Sequence, residues 1–148
     1  MKTIHRVLLF FLLPLGLAPL VQAGERATIE GILISASNEA GQTDQRLAAY
    51  EPTLRRILRF ESYRFLGNDS ASLGIPEQGR MDIGAGHQLE VGMESSDGRT
   101  IHVKIRWIAH GRKLMETGLV LRPGVPVVLG GPSTGNKGEV YAVILTGR

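Results

Sequence analysis

The sequence predicts an α+β fold, mainly an antiparallel β-sandwich or partly open barrel with one helical segment packed on it. Apolar and polar residues alternate with period two through residues 87–121, which is typical of strands with one buried face. Only residues 44–59 place apolar side chains at helical spacing. The chain has no cysteine, so the fold must rest on an apolar core rather than on disulfides.

The first 23 residues have the pattern of a signal peptide. Lys2 and Arg6 precede the apolar stretch Val7–Leu20, and small side chains at Val21 and Ala23 suit a signal peptidase. The stretch is shorter than the about 20 apolar residues that span a bilayer, so an uncleaved membrane anchor is the weaker alternative. We expect a signal peptide over 1–23, then a single β-rich domain over 24–148. The mature protein should be periplasmic or secreted, with no transmembrane segment.

The charge of the mature chain is nearly balanced. Two of the 17 basic residues lie in the leader and all 14 acidic residues follow it, so residues 24–148 carry a net charge of +1. Basic and acidic residues alternate along the chain, except at Arg55, Arg56 and Arg59. These arginines lie off the apolar helical stripe and suit a solvated face, or alternatively an anion-binding patch. The balance excludes nucleic acid as an expected partner.

The first half of the mature chain combines strands with the helical segment. The run Ile32-Leu33-Ile34 is apolar on both faces, which is typical of a strand covered on both sides. Thr43 or Asp44 can cap the helix, and Pro52 should kink it or divide it into two pieces. The predicted elements are a strand over Ala27–Ser37, the helical segment Asp44–Arg59, and short strands over Ser62–Leu66, Ala71–Ile75 and Arg80–Ile83.

Residues 87–121 predict three consecutive strands of an antiparallel meander. We expect Ser96-Asp97-Gly98 to form the first turn, with Gly98 in the left-handed conformation. This turn places apolar residues of the two strands opposite each other on one face, and residues of opposite charge or polar residues opposite each other on the other face. That register pairs Met93 with Ile101, Val91 with Val103, Leu89 with Ile105, Glu90 with Lys104 and Gln88 with Arg106. A turn at His110-Gly111-Arg112 then pairs Met115 with Trp107, Thr117 with Ile105, Leu119 with Val103 and Glu116 with Arg106.

The end of the chain predicts two further strands. Val127-Val128-Leu129 is a short strand, and the glycine-rich residues Gly130–Gly138 suggest a mobile loop. Val140–Leu145 is almost continuously apolar, as expected of a central strand covered on both faces.

No group of residues predicts a catalytic, cofactor or metal site. The segment Gly131–Gly135 matches the nucleophile-elbow pattern around Ser133, but no helix, histidine or aspartate follows it. The segment Gly130–Lys137 lacks the lysine spacing of a phosphate-binding loop. We expect His87, His102 and His110 on the surface, Trp107 in the core, and Glu90 and Glu94 without the environment of a general acid.

Two resemblances follow from these residues. A helix followed by Ser62-Tyr63-Arg64, a β-meander, and Gly130-Gly131-Pro132 before an apolar strand resembles small exported bacterial proteins of unknown function. The tail is weakly similar to the end of secretin pore proteins, which implies shared strand–loop–strand geometry and an envelope-assembly context. The similarity rests on Leu121–Gly124, Val127–Gly131 and Val143–Thr146.

The sequence therefore favours a non-enzymatic exported envelope protein, acting as a protein-interaction or assembly-accessory module. Its unknown protein partner would contact an exposed sheet edge or the Gly130–Gly138 loop. A carrier of small apolar ligands, with the sheet curled round a cavity, is the alternative. An enzyme whose site the sequence does not reveal is the third possibility.

Overall fold

The computed structural model describes residues 26–148, which form two four-stranded antiparallel sheets and one helix. The first sheet has the strand order β2-β1-β8-β7 and the second β3-β4-β5-β6. The predicted signal peptide, residues 1–23, lies outside the described residues. The elements are β1 (Arg26–Ser37), α1 (Glu51–Leu58), β2 (Ser62–Gly74), β3 (Gln78–Gly84), β4 (His87–Ser96), β5 (Ile101–Ala109), β6 (Arg112–Leu121), β7 (Val127–Ser133) and β8 (Glu139–Gly147).

The two sheets pack face to face around the main core, which confirms the predicted α+β sandwich. Period-two alternation on β4 and β5 puts one set of side chains inside and leaves the other set in water. Trp107 is fully buried, as its position on the apolar side of β5 predicted. The buried cluster includes Ile29, Leu33, Met81, Ile83, Leu89, Val91, Val103, Ile105, Trp107, Val143 and Leu145.

A second core lies on the opposite face of the first sheet, beneath the helical segment. Ile32 and Ile34 of β1 face this core while Leu33 faces the other, so the continuous apolar run is explained by cover on both sides. The helical segment divides at Pro52, as predicted. A short 3-10 turn, Gln45–Leu47, is capped by Asp44, and Pro52 lies in the first turn of α1.

Strand β2 contradicts the prediction of two short strands separated by a turn at Gly67-Asn68-Asp69. It runs unbroken along β1, with one irregularity where Ile34 faces Phe65 and Leu33 faces Gly67. Gly67 serves close packing rather than a turn, because a Cβ atom there would overlap the carbonyl oxygen of Ile83 on β3. The Asp69 carboxylate also accepts a hydrogen bond from the Asp82 N–H, at 3.1 Å.

The β4–β5 hairpin has the predicted faces but not the predicted register. Val91 lies opposite Ile105, and Glu90 opposite Arg106, two residues further along β5 than expected. The strands extend to Ser96 and Ile101, and the Asp97 side chain closes the turn by accepting hydrogen bonds from the Arg99 and Thr100 N–H groups. Gly98 has φ +83°, as predicted. An irregularity between Met93 and Ser95 keeps the apolar residues of β4 and β5 on the same face of the sheet despite the different turn.

The β5–β6 register is confirmed. Met115 faces Trp107, Thr117 faces Ile105, Leu119 faces Val103 and Glu116 faces Arg106. The turn itself is one residue shorter than predicted, and an extra residue on β6 between Lys113 and Met115 compensates for it.

The last two strands are longer than predicted. β8 is central and buried on both faces, in agreement with its apolar sequence. β7 continues through Gly130 to Ser133, so the connecting loop is confined to residues 134–138 rather than the predicted Gly130–Gly138. Hydrogen bonds hold this loop, including one from the Thr134 N–H to the Glu139 carbonyl oxygen at 3.2 Å.

Candidate functional site

The sandwich is closed along one side and open along the other. On the closed side β2 lies directly against β3, with Gly67 packed on the backbone of Ile83 and Gly84. On the open side lie β6 and β7, the outer strands of the two sheets. β7 contains Pro132, which has no N–H, and its pairing with β8 is irregular after Gly130. β6 has no proline, and within residues 26–148 it pairs with β5 alone.

We call the unpaired side of Arg112–Leu121 the β6 edge. Its outward-facing residues are Glu116, Gly118 and Val120, and Val120 is 50% exposed. On the inner face Met115 and Leu119 are partly buried against the main core. A ten-residue strand of this kind presents a row of backbone donors and acceptors to a further strand.

A ladder of ion pairs crosses the outer face of the second sheet and ends at this edge. Glu90 pairs with Arg80 (2.9 Å) and Arg106 (3.3 Å). Glu116 pairs with Lys104 (3.2 Å), Lys113 (3.3 Å) and Arg106 (3.7 Å). Hydrogen bonds from Lys104 and Lys113 lower the pKa of Glu116. The carboxylate is thus held in its ionised form, which suits a charge surface and not a general acid.

Beside the ladder lies a depression of about 360 Å³, whose lining includes Gly92, Lys104 and Glu116. The row Gln78, Gly92, Lys104 and Gly118 crosses all four strands of the sheet. Gly118 has open space where a side chain would project. No side chain at position 118 therefore separates the Lys104 ammonium from the β6 edge.

In the second sheet, the β3–β4 hairpin is acidic and the β5–β6 hairpin is basic. Residues 99–122 hold six basic residues and one acidic residue, a net charge of +5. Residues 77–97 hold one basic and five acidic residues, a net charge of −4. The sequence interpretation of interleaved charge missed this division, which separate counts over residues 77–97 and 99–122 would have found.

The prediction that all three histidines lie on the surface is wrong for His87. His87 is only 1% exposed, and its Nδ1 accepts a hydrogen bond of 2.9 Å from the Trp107 indole N–H. Its ring packs 4.4 Å from the Tyr141 ring and 6.0 Å from the His110 ring, centre to centre. Burial, with a smaller contribution from His110, lowers the pKa of His87. His87 faces Ala109, and so it lies at the same end of the β4–β5 hairpin as His110.

This histidine is part of the core rather than of a ligand site. Within residues 26–148, no three histidine, cysteine or acidic side chains come together in a way that could hold a metal ion. Among the same residues, no helix has the length and apolar character needed to cross a bilayer.

The other motifs singled out in the sequence have structural roles. Ser133 ends β7, and its hydroxyl accepts a hydrogen bond of 3.1 Å from the Gly135 N–H, with a strand rather than a helix following. On α1, Arg55 pairs with Glu51 at 2.9 Å and donates to the Glu61 carbonyl oxygen, while Arg56 and Arg59 are exposed.

Comparison with protein-family models, with curated proteins and with solved structures gave no match to this chain.

Proposed function

We propose that this protein is a non-enzymatic, exported protein of the cell envelope that binds another protein along the β6 edge. The proposal includes removal of residues 1–23 on export. The observation that carries it is the edge of the ten-residue strand β6, which has no second neighbouring strand within residues 26–148, on a sandwich whose opposite side is closed.

An unpaired strand edge of this length is unusual in a protein that stays monomeric. Natural sheets protect their edges with proline, charged side chains, bulges or covering segments, because a bare edge pairs with other chains. The β7 edge has a proline and an irregular ladder, and the β2 and β3 edges cover each other. β6 has only one irregularity, near its start, and is regular from Met115 to Leu121. From Met115 to Leu121 the edge has neither proline nor bulge, which suits strand addition by a partner.

The packing of the core favours this function over the carrier of small apolar ligands. A carrier needs an apolar cavity inside its sheets. Here that position is filled by Leu89, Val91, Val103, Ile105 and Trp107, each at most 1% exposed. The depression on the outer face is lined by charged side chains instead.

The proposal is tested by crosslinking in the cells that produce the protein. A photo-crosslinking amino acid replaces Val120 on β6 or, as a matched control, Ile57 on α1, because these side chains are 50% and 47% exposed. The proposal predicts one discrete adduct from position 120 that is absent from position 57, and whose protein binds the purified chain in a direct assay.

Other results would overturn the proposal. Equal labelling from both positions would show random collision. An adduct of twice the mass would show that a second copy occupies the edge, and a crosslink to residues 1–25 would show that the chain covers its own edge. The absence of any adduct from position 120 would show that no partner binds at the β6 edge.

A further inference from the structure

We infer that the partner segment which pairs with β6 is an acidic, extended strand, with a carboxylate side chain opposite Gly118. The inference rests on the proposed function and deepens it by stating the chemistry of the partner. Three features of the β6 edge support it, namely its charge, the gap at Gly118 and its alternating faces.

The charge of the edge selects against basic segments and against a second copy. One carboxylate, Glu116, lies within 4 Å of three cations, Lys104, Arg106 and Lys113. Each of these cations keeps 46% or more of its side chain exposed, so each can accept a further anionic partner. Edge pairing of two copies would bring together two hairpins of net charge +5. Acidic side chains on an incoming strand have the complementary sign.

The gap at Gly118 gives the position of one such carboxylate. An added strand would lie about 4.8 Å from β6 and hence about 10 Å from β5. A side chain on β6 would normally separate the new strand from Lys104, but Gly118 lies directly opposite Lys104 and has no side chain. A glutamate opposite Gly118 can therefore reach across it to the Lys104 ammonium.

The two faces of β6 favour an alternating sequence in the partner. On the outer face, Val120 offers an apolar contact two residues from Gly118. On the inner face, Met115 and Leu119 are partly buried at the rim of the main core. Apolar side chains on the inward side of the new strand would complete the burial of that rim.

The test uses the mature chain, residues 24–148, and a peptide of about eight residues that alternates valine and glutamate. Binding is followed by NMR chemical shifts and by amide hydrogen exchange at low ionic strength. We expect slowed exchange within residues 112–121 with no change in α1, and binding that weakens about tenfold between 20 and 200 mM salt. A peptide alternating valine and lysine should not bind.

Matched double variants distinguish the effect of charge at the β6 edge from the effect of the protein's net charge on peptide binding. Lys104→Gln with Lys113→Gln removes two cations at the edge, and Arg56→Gln with Lys137→Gln removes two exposed cations elsewhere. We expect the first pair to weaken the glutamate peptide about tenfold and the second to leave it within twofold. The variant Gly118→Leu should also weaken it about tenfold, by covering the path to Lys104. The same peptide with every backbone amide methylated should not bind, because it cannot form the ladder.

The inference is wrong if both peptides bind equally, if the methylated peptide binds as well as the parent, or if the edge variants match their controls. It is also wrong if the glutamate peptide does not protect residues 112–121. A discrete adduct from position 120 together with any of these results would leave the proposed function standing and reject only the acidic partner. Failure of that adduct would reject the proposed function itself.

Discussion

The ring of Trp107, on β5, contacts residues of both sheets. Its indole N–H donates to His87 at the start of β4, and its far edge lies against the backbone of Gly131 on β7. Because β4 and β7 belong to different sheets, one side chain joins the two halves of the sandwich near the open side. The small size of residue 131 is thus required by the ring, and not by a nucleophile turn.

Gly131→Ala should destabilise the fold by about 1–3 kcal/mol, because the new methyl group would overlap the Trp107 ring and the close Tyr141 carbonyl oxygen. The free energy of unfolding, measured by urea denaturation, tests this. Gly118→Ala is the matched control, since a methyl group there meets open space on the same side of the molecule. Equal stability of the two variants would show that the contact with Trp107 is unimportant.

The buried His87 predicts a stability that declines in mild acid. Its pKa in the folded state is below the ordinary value of 6.5, so the unfolded chain binds a proton at a higher pH than the folded chain does. The stability is therefore complete above pH 6.5 and falls as the pH is lowered through that value towards the folded pKa. One proton gives a slope of at most about 1.4 kcal/mol per pH unit.

Urea denaturation between pH 7.5 and 5 measures this slope. His87→Gln keeps a hydrogen-bond acceptor for Trp107 but cannot take up the proton, so its slope should be smaller than that of the parent. His102→Gln, at an exposed position on β5, should keep the parent slope. If His87→Gln had the slope of the parent, the acid sensitivity would arise elsewhere in the chain.

At the scale of elements, the closed side depends on the approach of β2 to β3. The nearest backbone atoms to Gly67 are those of Ile83 and Gly84, and backbone cannot move aside as a side chain can. Gly67→Ala should therefore cost about 2–4 kcal/mol of the free energy of unfolding. Gly41→Ala, where the nearest atoms are at an ordinary 3.6 Å, should change it by less than about 0.5 kcal/mol. Similar losses in both would show that β2 and β3 can separate without cost.

Sequence patterns predicted the faces of the elements better than their ends and pairings. Alternating polarity gave the correct inner residues on β4, β5 and β6, because burial depends on parity alone. The β4–β5 register was wrong by two residues, since the Asp97 turn and the nearby irregularity each change the parity and together preserve it. Gly67 was interpreted as a turn because a glycine in a close contact looks the same in sequence as a glycine in a loop.

The candidate site was only partly predictable for a related reason. An exposed sheet edge was expected, but which strand lies at the edge depends on the strand order, which local patterns do not determine. The burial of His87 depends on Tyr141, a residue more than fifty positions away on the other sheet. Contacts between segments that are far apart in the chain produce no periodic pattern in the sequence.

The molecule as a whole has two kinds of asymmetry that coincide at β6. Its sandwich is closed beside β2 and β3 and open beside β6 and β7. Its second sheet carries an acidic hairpin on the closed side and a basic hairpin on the open side. The ion pair Glu90–Arg106, at 3.3 Å, joins the two hairpins. The ladder continues from Arg106 to Glu116 and the exposed Lys113 at the β6 edge.

The central pair of the first sheet joins opposite ends of the described chain. β1 lies beside β8, so Ser37 meets Glu139 across a separation of about 100 residues. At ordinary rates of translation the ribosome needs roughly 5 to 20 seconds to make that interval. Throughout it the nascent β1 has no β8 with which to pair. The first sheet therefore cannot close during synthesis until β8 has been made.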